Sequence, residues 1–262
     1  MAILFSGDFH DAFAGELYAI NKKTLLRKYR REIYNTIRYH IILGDGSFMW
    51  PGNQKNEEKI YGELARRKFP ILCVIGNHEP ILGMDNVPET DIGIGETVYQ
   101  IWKHPFIAYL KRGKVYSIDG FKCLVLGGAL SIDKNGHIPQ KTWWEREYWS
   151  EAEKQDVLNL LKTENVFDFV LSHTGPEKIN NLILGYSNPF RTTISDEVAV
   201  LNDRIDAKIQ CQDWFCGHLH RDTYYYDINA HRGYQYLYRT TKIVDRVDSN
   251  IVVYSQFGGT ER

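Results

Sequence analysis

No run in this sequence reaches the roughly eighteen consecutive apolar residues that a membrane-spanning helix needs. An excess of charge of one sign is also missing. The 262 residues carry 32 Lys plus Arg against 33 Asp plus Glu, a formal net charge of -1. The chain therefore has no global field for holding DNA or an anionic membrane surface. Cysteine is scarce and scattered, at Cys73, Cys123, Cys211 and Cys216. Cys73, Cys123 and Cys216 lie inside apolar runs, where a thiol packs as a small hydrophobe. Cys211 and Cys216 lack the second pair that a zinc knuckle needs. Reduced core thiols are expected. The opening Met1-Ala2-Ile3-Leu4-Phe5-Ser6-Gly7-Asp8 has no basic region and no apolar stretch of signal-peptide length. A cytoplasmic protein with no membrane partner is the expectation.

There is no internal repeat, no low-complexity segment and no dividing linker, so one domain spanning 1–262 is expected. Hydrophobic residues at 43% and charged residues at 25% are ordinary for a globular chain. Short β-rich apolar runs alternate with helical patterns, which points to an α/β organisation. Strands are predicted at 2–7, 40–44, 70–76, 115–118, 121–127, 166–172, 213–217, 223–228, 234–244 and 250–255. Asp119-Gly120 is the turn of a hairpin. Helices are predicted at 15–38, 55–68, 149–163 and near 195–207. The first carries Leu25, Tyr29, Ile33 and Ile37 at four-residue spacing, and the third opens on Ser150 as a cap. Segments 80–97 and 174–192 read as long loops, of a length that tends to be functional.

The chemistry lies where the apolar runs stop. Ile3-Leu4-Phe5-Ser6-Gly7 ends at Asp8-Phe9-His10. Ile41-Ile42-Leu43-Gly44 ends at Asp45. Ile71-Leu72-Cys73-Val74-Ile75-Gly76 ends at Asn77-His78. Phe169-Val170-Leu171-Ser172 ends at His173, and Trp214-Phe215-Cys216-Gly217 ends at His218-Leu219-His220. In open α/β sheets ligands bind at the carboxyl ends of strands, so these groups are expected to converge on one sheet edge. Two carboxylates, an amide and four imidazoles, with His78 besides, are too many donors for one zinc-like ion and suit two. Asp8 and His10, like His218 and His220, alternate along an extended chain and so share a side. Mixed nitrogen and oxygen ligation favours transition metals over calcium or magnesium.

The ordered motifs Asp-x-His, Gly-Asp, Gly-Asn-His-Glu, His and Gly-His-x-His resemble those of the calcineurin-like metallophosphoesterase superfamily, over residues 7–220. The stretch from Gly127 to Lys134, followed by Trp143-Trp144, is similar to a bacterial and phage group within it. The resemblance implies a four-layer αββα sandwich of two mixed β-sheets flanked by helices. It implies one metal held by Asp8, His10, Asp45 and His220 and a second held by Asp45, Asn77, His173 and His218. The cofactors implied are two divalent transition-metal ions, Mn, Fe or Zn. Phosphomono- or phosphodiesters would be hydrolysed by in-line attack of a metal-bridging hydroxide, with Asp45 bridging and His78 assisting the leaving group without binding metal.

Several positions depart from that pattern. Asp11 follows His10 where the family has glycine. Gly44-Asp45-Gly46-Ser47-Phe48 lacks the Asp-Arg-Gly continuation of Ser/Thr phosphatases and diadenosine tetraphosphatases. It also lacks the second aspartate that would orient His78, and Glu79 in an extended segment points away from that histidine. Phe48 and Trp50 are the candidate substrate wall, and Arg112, Asp133, Lys134 and Arg191 are candidate phosphate or supporting contacts. The substrate class expected is a phosphorylated small molecule or a nucleotide. Lys22, Lys23, Arg27, Lys28, Arg30 and Arg31 read as a solvated helix face. Taken as a nucleic-acid surface, they give the alternative of a nucleic-acid-directed phosphodiesterase. A catalytically inert scaffold of the same fold is the other alternative.

Overall fold

The structure, a computed structural model, describes residues 1–8, 22–46, 48, 62, 66, 69–102, 106–131, 134–185 and 196–254. Among these the strands are β1 (Ala2–Ser6), β2 (Ile37–Ile42), β3 (Ile71–Cys73), β4 (Glu89–Thr90), β5 (Val98–Trp102), β6 (Ile107–Tyr109) and β7 (Lys114–Ile118). They continue with β8 (Phe121–Leu126), β9 (Val166–Ser172), β10 (Gln210–Cys216), β11 (Thr223–Asp227), β12 (Arg232–Tyr236), β13 (Thr241–Val247) and β14 (Asn250–Tyr254). The α-helices are α1 (Lys22–Lys28), α2 (Arg31–Thr36), α3 (Glu151–Leu160), α4 (Glu177–Gly185) and α5 (Glu197–Asp206).

The strands form two mixed sheets, ordered β14-β13-β1-β2-β3-β6-β5-β4 and β11-β12-β10-β9-β8-β7. The continuous apolar runs lie in the parallel centres. β1 pairs in parallel with β2, β2 with β3, β9 with β10 and β8 with β9. Such strands are covered on both faces, which is why their sequences do not alternate. Between the sheets, Ile3, Phe5, Ile41, Leu72 and Val74 of the first meet Phe121, Val125, Phe169, Leu171 and Phe215 of the second. Phe5 stacks on Phe215 at 4.3 Å and meets Phe169 edge-on at 6.2 Å, tying the layers together. On the outer face of the second sheet, Val157, Ile179, Val198, Leu201 and Ile205 of α3, α4 and α5 pack on Val170, Trp214 and Tyr234. On the outer face of the first, Leu25 and Tyr29 pack on Ala2, Leu4 and Ile243. These are the four layers of an αββα sandwich.

Within the described residues the helix predicted at 15–38 breaks after Lys28, resumes at Arg31 and ends at Thr36. Its first residues lie outside the described residues. The Tyr29 hydroxyl bonds to Thr241, α2 follows, and Ile37 opens β2 by pairing with Ala2. Sheet pairing therefore overrides a spacing that also suits a helix. Lys22, Lys23, Arg27, Arg30 and Arg31 are exposed opposite the buried Leu25 and Tyr29, as a solvated face requires. The helix predicted at 55–68 lies outside the described residues except at Gly62 and Arg66. The segment read as a loop at 174–192 contains α4, which follows Pro176, a residue pre-set for a first helical turn. The other loop, 80–97, contains a 3-10 turn at Pro80–Gly83 and β4. β5 and β6 were not predicted. The strand predicted at 234–244 is two strands, separated where the Asp222 carboxylate accepts the N–H groups of Tyr238, Arg239 and Thr240.

Other local signals hold. Asp119 and Gly120 both have positive φ, 51° and 82°, as a two-residue hairpin turn requires. All four cysteines are free and buried. Ser150 caps α3 in a capping box with Glu153. Ser150→Ala is expected to lower stability by about 1 kcal/mol, seen as a fall in Tm of roughly 2–4 °C. An unchanged Tm in thermal unfolding would contradict that role.

Candidate metal centre

Five parallel strands of the two sheets end on the same edge. After β2 the chain passes through Gly44 and Asp45 with φ of 92° and 48°. A Cβ on Gly44 would lie 2.1 Å from His173 Nδ1, and one on Gly76 would lie 2.1 Å from Asp45 Oδ1. Glycine is what lets these loops approach so closely. His218 and His220 also have positive φ, 63° and 49°. Non-glycine residues held there carry local strain, which clusters at functional sites.

The turns bring together Asp8, Asp45, Asn77, His173, His218 and His220. Asp8 is buried, accepts the His218 backbone N–H at 3.0 and 3.1 Å, and lies 3.2 Å from His220 Nε2. Asp45 is buried, accepts the His78 backbone N–H on Oδ1 at 2.9 Å, and faces His173 Nε2 with Oδ2 at 3.3 Å. His173 Nδ1 lies 2.8 Å from the Leu43 carbonyl, which can only accept, so Nδ1 carries a proton. Its Nε2 then faces two oxygens, Asp45 Oδ2 and Asn77 Oδ1, the latter at 2.9 Å.

That convergence needs positive charge. A neutral His173 would present a lone pair to two acceptors, so either a proton or a cation must lie among them. Burial alone would lower His173, but the Asp45 and Asp8 carboxylates outweigh it and push it up to about 10. His218, whose ring centre is 5.0 Å from that of His173, goes the other way. Burial, and then the charge of His173, push it down to about 3, which leaves it in the neutral form that binds metals. Buried carboxylates, an amide oxygen and imidazoles are a donor set that fits transition-metal ions. Among the described residues no group of three or more His, Cys, Asp or Glu is already spaced to hold an ion. The donors instead bond to one another.

Around this cluster, His220 stacks on Tyr238 with ring centres 4.6 Å apart, and His78 lies 5.3 Å from His137. Glu79 is fully buried, accepting Gly46 N–H at 2.6 Å and the Tyr109 hydroxyl at 2.5 Å. Burial, and then Asp45, push Glu79 up to about 8. His137 and Tyr238 were missed by sequence reasoning, since neither belongs to a motif or a strand-end run.

The candidate substrate residues fare differently. Trp50, Asp133 and Arg191 lie outside the described residues, as does the proposed metal ligand His10. Phe48 is a core residue rather than a wall of the site, packed with Ile42, Cys73 and Trp144. Arg112 is committed elsewhere. Its guanidinium grips both oxygens of Glu153 and donates to the carbonyls of Arg146 and Tyr148. It borders a cavity of about 580 Å³ with Ile75, Lys111 and Trp149, into which none of the clustered side chains opens.

A model of the family described as calcineurin-like phosphoesterase matches residues 1–222. No curated protein matches by sequence. Among solved structures the chain is similar to a protein named as a 5'-nucleotidase from Staphylococcus aureus. That match has 15% identity and a TM-score of 0.52, covering 97% of this chain and 53% of that one. It is also similar to GAP50, the anchor in the inner membrane complex of Plasmodium, at 10% identity and a TM-score of 0.53, covering 100% of this chain and 87% of that one. A dimetal phosphatase from Danio rerio matches at 13% identity and a TM-score of 0.48, covering 98% and 96%. The likenesses to the nucleotidase and to GAP50 speak to the fold alone, and the chain spans about half the length of the nucleotidase.

Proposed function

The chain belongs to the calcineurin-like phosphoesterase family, and on that premise we propose that it hydrolyses phosphate esters at a dinuclear centre built on the strand-end cluster. Asp8, His10, Asp45 and His220 would hold one divalent ion, and Asp45, Asn77, His173 and His218 the other. When bound, the ion pair supplies a nucleophile at neutral pH and stabilises negative charge on the phosphoryl group. The observation that carries this reading is the convergence of His173 Nε2, Asp45 Oδ2 and Asn77 Oδ1, three buried acceptors that require a cation or a proton between them.

The protein's own groups do the rest. Asp45 divides its two oxygens between His173 and the backbone N–H of His78, so it fixes where residue 78 leaves the strand. The His78 imidazole then assists the leaving oxygen, by giving it a proton or by holding its charge. The His137 ring lies beside it, with ring centres 5.3 Å apart.

A phosphorylated small molecule or a nucleotide is the substrate class proposed, in keeping with a nucleotidase among the structural neighbours. The basic face of α1 is directed to solvent, on a helix whose other side packs on the outer face of the first sheet, a placement that suits a solvated face and a nucleic-acid surface alike. The anchor role given to GAP50 illustrates that the fold does not decide catalysis, and here the donor set argues for it.

The test is hydrolysis of an aryl phosphate and of a bis-aryl phosphate by metal-stripped protein titrated with manganese. Turnover that appears only with the metal is expected, and the preferred ester separates phosphatase from diesterase. A protein that neither binds manganese nor turns over either ester would overturn the proposal.

A further inference from the structure

The Gly127–Ser131 stretch and the Trp143-Trp144 segment stand out in the sequence, yet they supply none of the proposed ligands. In the fold they meet directly behind Asn77. Gly128 N–H donates to the Ile75 carbonyl at 2.8 Å, and Trp149 Nε1 donates to the Gly127 carbonyl at 2.7 Å. Trp144 is buried in the adjoining core and leads into the short turn Glu145–Glu147. Asn77, Ser131 and Glu147 are all buried, Glu147 completely.

Their hydrogen bonds run in one line. Asn77 Nδ2 donates to Ser131 Oγ at 2.9 Å, and Ser131 Oγ donates to Glu147 Oε2 at 2.5 Å. The second carboxylate oxygen takes the Ser131 backbone N–H at 3.3 Å. A carboxylate can only accept, and a hydroxyl has one proton. Once that proton is directed to Glu147, Ser131 offers Asn77 nothing but lone pairs. The amide must then turn its N–H2 toward Ser131 and its oxygen toward His173, where Oδ1 lies 2.9 Å from Nε2.

We propose that Ser131 and Glu147 are positioning residues that fix the direction of the Asn77 amide, so that its oxygen and not its nitrogen faces the ion held with His173 and His218. This rests on the dinuclear reading given above. A reversed amide would point a donor at a cation. With glutamine at 147, Oε1 stays on the Ser131 N–H, the new N–H2 donates to Oγ, and the hydroxyl proton is free to turn to Asn77. The line of bonds then has no fixed direction.

The experiment is calorimetric titration of metal-stripped full-length protein with manganese, for wild type, Glu147→Gln, Ser131→Ala and Ser131→Thr, with the Tm of each apo protein alongside. Wild type is expected to take up two ions. Glu147→Gln and Ser131→Ala should each weaken one of the two sites by roughly 10–100-fold and leave the other within about threefold, the usual scale for losing a ligand's hydrogen-bond partner. Ser131→Thr, which keeps the hydroxyl, should restore the weakened site. Two ions bound equally well by every variant would overturn this inference alone, whatever the Tm values. So would equal weakening of both sites with a large fall in Tm in Glu147→Gln, which marks a merely structural role. A wild-type protein that takes up fewer than two ions would overturn the dinuclear reading, and this inference with it.

Discussion

Asp45→Asn is expected to lower kcat by on the order of 10³-fold, the scale of removing one principal electrostatic contact in an active site. The fold should survive, because asparagine has the same shape and its Oδ1 still accepts the His78 N–H that Asp45 holds at 2.9 Å. What changes is charge and lone pairs. The oxygen facing His173 Nε2 at 3.3 Å is replaced in one amide orientation by a donor, and the cluster loses one of its two buried carboxylates. Both proposed ions touch Asp45, so manganese titration should show weakening at both, unlike the single-site effect of Glu147→Gln. Wild-type kcat in this variant at saturating manganese would remove Asp45 from the bridging position.

His78→Ala should give a different signature. Loss of a positioned acid or charge stabiliser lowers kcat by roughly 10²–10⁴-fold, while both ions continue to bind with wild-type affinity, since residue 78 holds none. The leaving group sorts its role. If His78 protonates the leaving oxygen, an alkyl phosphate, with its poor leaving group, should lose more than an aryl phosphate. Equal losses on the two esters would assign it to holding charge. Unchanged kcat on both would take His78 out of the reaction.

The strand-end cluster was legible in the sequence because each of its pieces is local. A buried parallel strand is an apolar run, and the residue at which the run stops is visible without the fold, as at Gly44-Asp45 or Gly76-Asn77. The order of those stops along the chain carried the family resemblance, and with it the two flanked sheets. What was not legible depends on contacts between distant residues. Ile33 and Ile37 fit a helical stripe, but Ile37 pairs with Ala2 and becomes strand. α4 stayed hidden behind Gly175-Pro176, which reads as a turn until the proline is seen to start a helix. Arg112 looked free to meet a phosphate, and nothing near it in sequence marks Glu153 as its partner. Phe48 follows Asp45 closely, yet its ring turns into the core. His137 comes beside His78, and Glu147 behind Ser131, only through the path of the loop that joins β8 to α3.

The central claim is that the strand-end cluster holds two metal ions. Diffraction from crystals grown with manganese, collected at the manganese absorption edge, tests it most directly. The account expects two anomalous peaks, one against Asp8, His10, Asp45 and His220 and one against Asp45, Asn77, His173 and His218. No peak among these residues in protein saturated with manganese, or peaks only elsewhere on the molecule, would contradict it.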